Sequence, residues 1–214
     1  MERPIDSLTG LVSGVELNTE IEMQIAKGNE FAYAVADIDM LSALNRDFGH
    51  EAGDAVITCI AKHLKTVFPP PCLVFRDERD EFDILLPLSS KEEAFLRAEE
   101  ARKLINREKP DYVNTRGAEL SQAVSIGISS FPDDGSRPAD IIRRAHSALQ
   151  RAKKNGRNQV CLAREEKLIP KTSHYTSAQL ERLSLIAGKE KIGEAVLLRE
   201  ALDDLLRKYD EQRP

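Results

Sequence analysis

Carboxylates set at the ends of apolar segments are the oxygen donors that a divalent cation takes, and this sequence has two such places. At position 76 the chain reads RDERDEFDILLP, with Asp80 and Glu81 between the apolar runs Cys72 to Phe75 and Phe82 to Leu86. Asp37 closes another run, FAYAVAD, which begins at Phe31. With Asp37 ending a strand and Asp80 following a hairpin turn, both can face one metal site. The turn between the runs has unusual chemistry. A two-residue hairpin turn needs positive φ and favours Gly, Asn or Asp, whereas Glu78 and Arg79 stand here. Lys153 and Arg157 lie four residues apart near a predicted helix end. Taken alone, each of these has a plain structural reading: an Asp after a strand is a cap, and a Lys and Arg at that spacing are a solvated face.

The elements that must position these side chains follow from periodicity. Helical spacing runs from about Val15 to Lys27 and stops at Gly28-Asn29. FAYAVAD reads as a buried strand, and Asn45 to Gly53 as a loop. From Asp54 to Phe68, apolar residues at Val56, Ile57, Ile60, Ala61, Leu64 and Val67 give a helix, broken by Pro69-Pro70-Pro71. The two runs around RDERDE form a β-hairpin. A helix over Lys91 to Arg107, a strand over Ala123 to Ser129, a helix over Pro138 to Asn155 and a short strand over Asn158 to Ala163 complete this part. The hairpin favours an α+β arrangement over a doubly wound parallel sheet. Residues 164–170 read as a linker, charged at first and ending at Pro170.

Composition narrows the class. The 214 residues are 41% hydrophobic and 31% charged, as in a soluble globular protein, and no apolar stretch approaches the roughly 18 residues of a membrane span. The N-terminus lacks a basic then apolar signal pattern, so the expected location is cytoplasmic, with no membrane partner. Three cysteines, Cys59, Cys72 and Cys161, have no metal-like spacing and read as reduced thiols; the four histidines form no ligand cluster. A net charge of −5 argues against a globally basic nucleic-acid binder but allows a local basic strip.

Four ordered motifs carry a resemblance over residues 4–163. They are DSLTGL at Asp6 to Leu11, ADIDMLSALNRDFGHEAGD at Ala36 to Asp54, SIGISSFPDDG at Ser125 to Gly135, and ALQRAKKNGRNQV at Ala148 to Val160. This part resembles the GGDEF domain of diguanylate cyclases. The resemblance implies a palm-like α+β nucleotidyl-cyclase domain, with an antiparallel-type central sheet flanked by helices. In that family two GTP-loaded domains meet to make cyclic di-GMP. It also implies roles. Asp37, Asp80 and the Ile38 carbonyl match metal ligands for Mg²⁺, and Glu81 matches the second acidic residue of the signature, an inherited catalytic position. Asn45 and Asp54 match a guanine-reading pair, whose oxygens accept from guanine N–H groups. Lys153 and Arg157 match triphosphate contacts, and Arg79 is a further candidate for binding phosphate. Cations held by carboxylates position a triphosphate and neutralise its charge.

The sequence departs from the family at four places. Glu78 and Arg79 replace both signature glycines, giving ERDEF. Two like charges about 4 Å apart cost on the order of 4 kcal/mol at an effective dielectric of 20, roughly a thousandfold in rate. Ser42 stands where a phosphate-contacting Lys is usual, and Met40-Leu41 replace a run that includes Phe. The product-inhibition motif RxxD would span Pro69 to Cys72, which reads PPPC, and Ser13-Gly14 replace Asn-Arg. These departures predict a domain released from catalysis that still holds GTP.

The tail, Lys171 to Tyr209, is similar to a ribbon-helix-helix module. Thr176 or Ser177 is the expected N-cap; Leu180, Leu183, Ile186 and Ala187 share one helical face; a turn follows at Gly188 to Gly193; and Ala195, Leu198, Leu202, Leu205 and Leu206 mark a second helix. About forty residues cannot bury two such faces alone, which predicts a homodimer. In that family the paired strands enter the DNA major groove. Lys171, Thr172, Ser173 and His174 are the candidates for base contact, and Lys189 and Lys191 for phosphate. Alternation lets either Lys171 and Ser173 or Thr172 and His174 face DNA.

The expectation is therefore a GGDEF-like domain over 1–163, a linker over 164–170, a dimeric DNA-binding module over 171–209 and a tail over 210–214. It would act as a nucleotide-responsive regulator that binds GTP and DNA. The alternatives are a diguanylate cyclase dimerised by its tail and a non-catalytic scaffold.

Overall fold

The computed structural model describes residues 3–76, 80–108, 110, 122–164, 172–190 and 193–210. The chain divides into two compact units, Met1–Glu165 and Glu166–Pro214, close to the boundary expected at Arg164.

In the first unit, β2 (Phe31–Ile38) is buried along its whole length. Ala32, Ala34, Ala36 and Ile38 join one core, while Phe31, Tyr33 and Val35 join another. A strand apolar on both faces belongs mid-sheet with helices on either side. The sheet has six strands in the order β1-β3-β4-β2-β5-β6: β1 (Val12–Ser13), β3 (Leu73–Arg76), β4 (Glu81–Pro87), β5 (Val124–Phe131) and β6 (Val160–Leu162) complete it. The inner pairs β3–β4, β4–β2 and β2–β5 are antiparallel, as expected. The outer pairs β1–β3 and β5–β6 are parallel, so the sheet is mixed.

One face is covered by α3 (His50–Val67) and α4 (Lys91–Arg107), with Leu41 of α2 (Leu41–Phe48) in the same core. The other is covered by α1 (Leu17–Lys27) and α5 (Pro138–Lys154). A capping box starts α4, with Ser90 and Glu93 satisfying each other's backbone N–H. At Gly127 of β5 the backbone of α5 comes so close that a Cβ there would meet Ala145 O at 2.0 Å.

Two expectations about local structure are corrected. The loop expected over Asn45 to Gly53 is helical apart from Gly49, whose φ of 88° separates α2 from α3. Leu41, Leu44 and Phe48 pack at helical spacing within an otherwise polar stretch, which hid the helix. The hairpin is not a two-residue turn: Arg76 pairs with Phe82, leaving positions 77–81 between them. Glu78 and Arg79 lie outside the described residues.

In the second unit, α6 (Ser177–Glu190) begins on a capping box, with Thr176 Oγ1 accepting from Gln179 N at 3.3 Å and Gln179 Oε1 accepting from Thr176 N at 2.9 Å. Thr176, not Ser177, is therefore the cap. The expected turn at Gly188 is corrected too, because α6 continues through Gly188 to Glu190. The helix α7 (Glu194–Asp210) follows, and Ser184 of α6 donates to Glu194. Residues 172–176 are exposed and take neither helix nor strand form. Leu180, Ile186, Leu202, Leu205 and Leu206 are all more than two-fifths exposed, so the helical pair alone leaves its apolar faces open.

Candidate active site at the ends of β2 and β4

Asp37 and Glu81 are direct partners across the β2–β4 ladder, which puts their side chains on one face of the sheet. That face is the one covered by α5, whose last turn carries Lys153. Lys153 Nζ lies 2.6 Å from Asp37 Oδ2, with Asp37 buried. Two turns earlier on the same helix, His146 Nδ1 lies 4.0 Å from Glu81 Oε1. Asp80 bends over the strand end, its carbonyl accepting from Ile38 N at 3.1 Å.

The electrostatics are those of crowded negative charge. Burial pushes the Asp37 carboxyl up to about 6, with Lys153 opposing and the Asp80 and Asp39 carboxylates adding to the rise. Burial pushes Glu81 up to about 8, helped by Asp37, Asp83 and Asp80 and opposed by Lys153. Such a site favours a positive charge. Among the described residues no three carboxylate, imidazole or thiol side chains converge closely enough to hold a metal ion. Of the expected set, Ile38 and Asp80 meet through a backbone hydrogen bond at the strand end, and the Lys153 ammonium rests on the Asp37 carboxylate.

Asn45 meets Gly53, the residue before Asp54, at the α2–α3 corner. Asn45 Oδ1 is buried and has no hydrogen-bond partner among the described residues. It sits against Gly53, where a Cβ would stand 1.9 Å from it. Asp54 follows that glycine and is exposed. An orphaned acceptor beside an exposed carboxylate can receive a group that presents adjacent N–H donors. Arg157 is exposed after α5 with φ of 62°, its N–H donating to Ala152 O at 3.0 Å. Arg79 lies outside the described residues.

Three residues escaped the sequence reading. Asp39 accepts from Ser125 Oγ at 2.8 Å and from Asn158 N at 2.9 Å, tying the end of β2 to β5 and to the loop after α5. Its signal was the second acid of the DID triplet. Gly53 was visible only as a glycine before Asp54, and His146 carried no sequence signal of its site. In the second unit, Thr172, Ser173 and His174 are exposed, while Lys171 and Lys191 lie outside the described residues. Lys189 lies in the last turn of α6, not at the start of the second helix, because α6 runs further than its glycine implied.

Comparison with known proteins places this geometry. Residues 4–159 match the family model described as diguanylate cyclase, GGDEF domain. Diguanylate cyclase DgcP of Pseudomonas aeruginosa is 34% identical over 166 residues, which is 74% of this chain and 24% of that protein. A diguanylate cyclase of Vibrio cholerae is 32% identical over 164 residues, 75% of this chain and 50% of that protein. The chain thus spans half or less of the length of these two relatives. The crystal structure of the GGDEF domain of DgcB from Caulobacter crescentus, in complex with c-di-GMP, superposes with a TM-score of 0.70 at 27% identity, covering 76% of this chain and 97% of that one.

Proposed function

The chain belongs to the GGDEF family, and from that premise we propose that its first unit binds GTP with Mg²⁺ and carries the diguanylate cyclase reaction, making cyclic di-GMP. The observation that supports this most is the gathering of Asp37, Glu81 and Lys153 on one face of the sheet, with an orphaned Asn45 Oδ1 at the neighbouring corner. Asn45 and Asp54 orient guanine through its N–H edge. Lys153 and Arg157 bind the triphosphate. Asp37, Asp80 and the Ile38 carbonyl would hold Mg²⁺, which would neutralise charge on the phosphoryl oxygens. The Glu81 carboxyl, pushed up to about 8, ionises as the pH rises through that value and in that form takes the proton of the attacking hydroxyl.

The test uses the full chain with GTP and Mg²⁺, with product read by chromatography and binding by calorimetry. Cyclic di-GMP should form and should disappear with Glu81→Gln, while Asp54→Ala should lose GTP binding. The absence of any binding heat with GTP and Mg²⁺ would overturn the reading.

A second reading is a nucleotide-responsive regulator that binds GTP without turning it over and binds DNA through a ribbon-helix-helix tail. It is favoured by Glu78 and Arg79 in place of the glycines, and by the open apolar faces of α6 and α7, which suit a homodimer. Its test is binding of mixed DNA across a salt series, where phosphate contacts make affinity fall steeply with salt. Salt-independent failure to bind leaves this chain without a DNA role. Failure to bind GTP as well leaves only the scaffold reading.

A further inference from the structure

The ion pair between Lys153 and Asp37 already sets a positive charge on a carboxylate that a metal would use. Lys153 Nζ is 2.6 Å from Asp37 Oδ2, with side chains 27% and 6% exposed. Glu81 stands directly across the ladder from Asp37. An ammonium and a divalent cation drawn to the same carboxylate repel each other and compete for its negative charge. Lys153 also projects from the last turn of α5 on a flexible four-carbon stem, so it can leave without moving the helix. A triphosphate arriving at the same helix end offers that ammonium another set of anionic oxygens.

We propose that Lys153 is a resident counter-ion of the acidic site: it must leave Asp37 before a divalent cation enters, and the triphosphate opens the site by accepting it. Metal alone then binds poorly, and metal and nucleotide bind together. Both halves rest on the function proposed above, the nucleotide half on its GTP and the metal half on its Asp37 metal ligand.

The test begins with full-length, chelator-treated protein titrated with Mn²⁺ alone, the free ion being followed by paramagnetic resonance. Lys153→Gln should bind Mn²⁺ at least about tenfold more tightly than the wild type, and Lys153→Arg, which keeps the cation, no more tightly than the wild type. The same Lys153→Gln change should weaken GTP with Mg²⁺ at least about tenfold, so one substitution moves the two ligands in opposite directions. Unchanged or weaker Mn²⁺ binding by a folded Lys153→Gln overturns the proposal. A second measurement needs no variant: acylation of Lys153 by an amine-reactive ester, read by mass spectrometry, should be slow in metal-free wild type and faster at saturating Mn²⁺. An unchanged rate overturns the proposal. Release of Lys153 by Mn²⁺ in a protein that gives no heat with GTP supports the counter-ion and removes the nucleotide reading. Normal GTP binding with Mn²⁺ affinity unmoved by Lys153→Gln does the reverse.

Discussion

Gly53 makes room for Asn45: a Cβ at position 53 would stand 1.9 Å from Asn45 Oδ1 and 2.9 Å from its Cγ. A Gly to Ala change inside a helix ordinarily gains about 0.5–1 kcal/mol. Here it should expel the amide from its seat, because the obstructed atoms are the free end of a side chain. Gly53→Ala should keep the protein folded in thermal melts while lowering GTP affinity at least about tenfold. Calorimetry that finds equal affinity would detach Asn45 from guanine recognition.

Gly127 predicts the opposite kind of defect. Its Cβ would meet backbone, Ala145 O at 2.0 Å and Leu149 N at 2.3 Å, so α5 itself would have to lift from β5. Gly127→Ala should destabilise the domain by about 3 kcal/mol, measured as a lower urea midpoint. A midpoint matching that of the wild type would mean that α5 does not sit this tightly on the sheet.

Asp39 holds the two parts of the site in place without being assigned to ligand. Losing its hydrogen bonds to Ser125 Oγ and Asn158 N should cost about 2 kcal/mol in Asp39→Ala. Because Asn158 follows Arg157, GTP affinity should fall along with stability. Asp39→Asn, which keeps an acceptor oxygen, should recover part of both in melts and calorimetry.

Restoring the signature glycines tests the turn. The double change Glu78→Gly with Arg79→Gly removes bulk and the Glu78 negative charge before the acidic pair, at the loss of the Arg79 positive charge. It should raise the rate of cyclic di-GMP formation on the order of tenfold to a thousandfold, the upper figure following from about 4 kcal/mol of like-charge repulsion. A rate no higher than that of the wild type would show that these side chains do not limit the reaction.

The sequence exposed the strands more plainly than the corner between α2 and α3. FAYAVAD and the run after RDERDE are continuous apolar segments, and they became β2 and β4. The stretch from Leu41 to Phe48 holds only a few apolar residues among polar ones, which hides its helix and leaves Asn45 to Gly53 reading as a loop. Motif order led to Asp37, Glu81 and Lys153, but nothing local in the sequence showed that Lys153 would rest on Asp37. That contact joins residues on β2 and α5, far apart along the chain, and only the packing of α5 on β5 brings them together. Gly188 misled the tail reading because a solvent-exposed glycine is tolerated inside a helix.

The facing of Asp37 and Glu81 has an origin outside the site. A slip of one residue between β2 and β4 would turn every β4 side chain to the opposite face, sending Glu81 away from α5. What forbids that slip is the alternation of Phe82, Ile84 and Leu86 into one core with Leu85 into the other. The placement of the acidic pair is therefore written in greasy residues that touch neither nucleotide nor metal. A polar substitution at Ile84 would misalign the chemistry as surely as one at Glu81 would remove it.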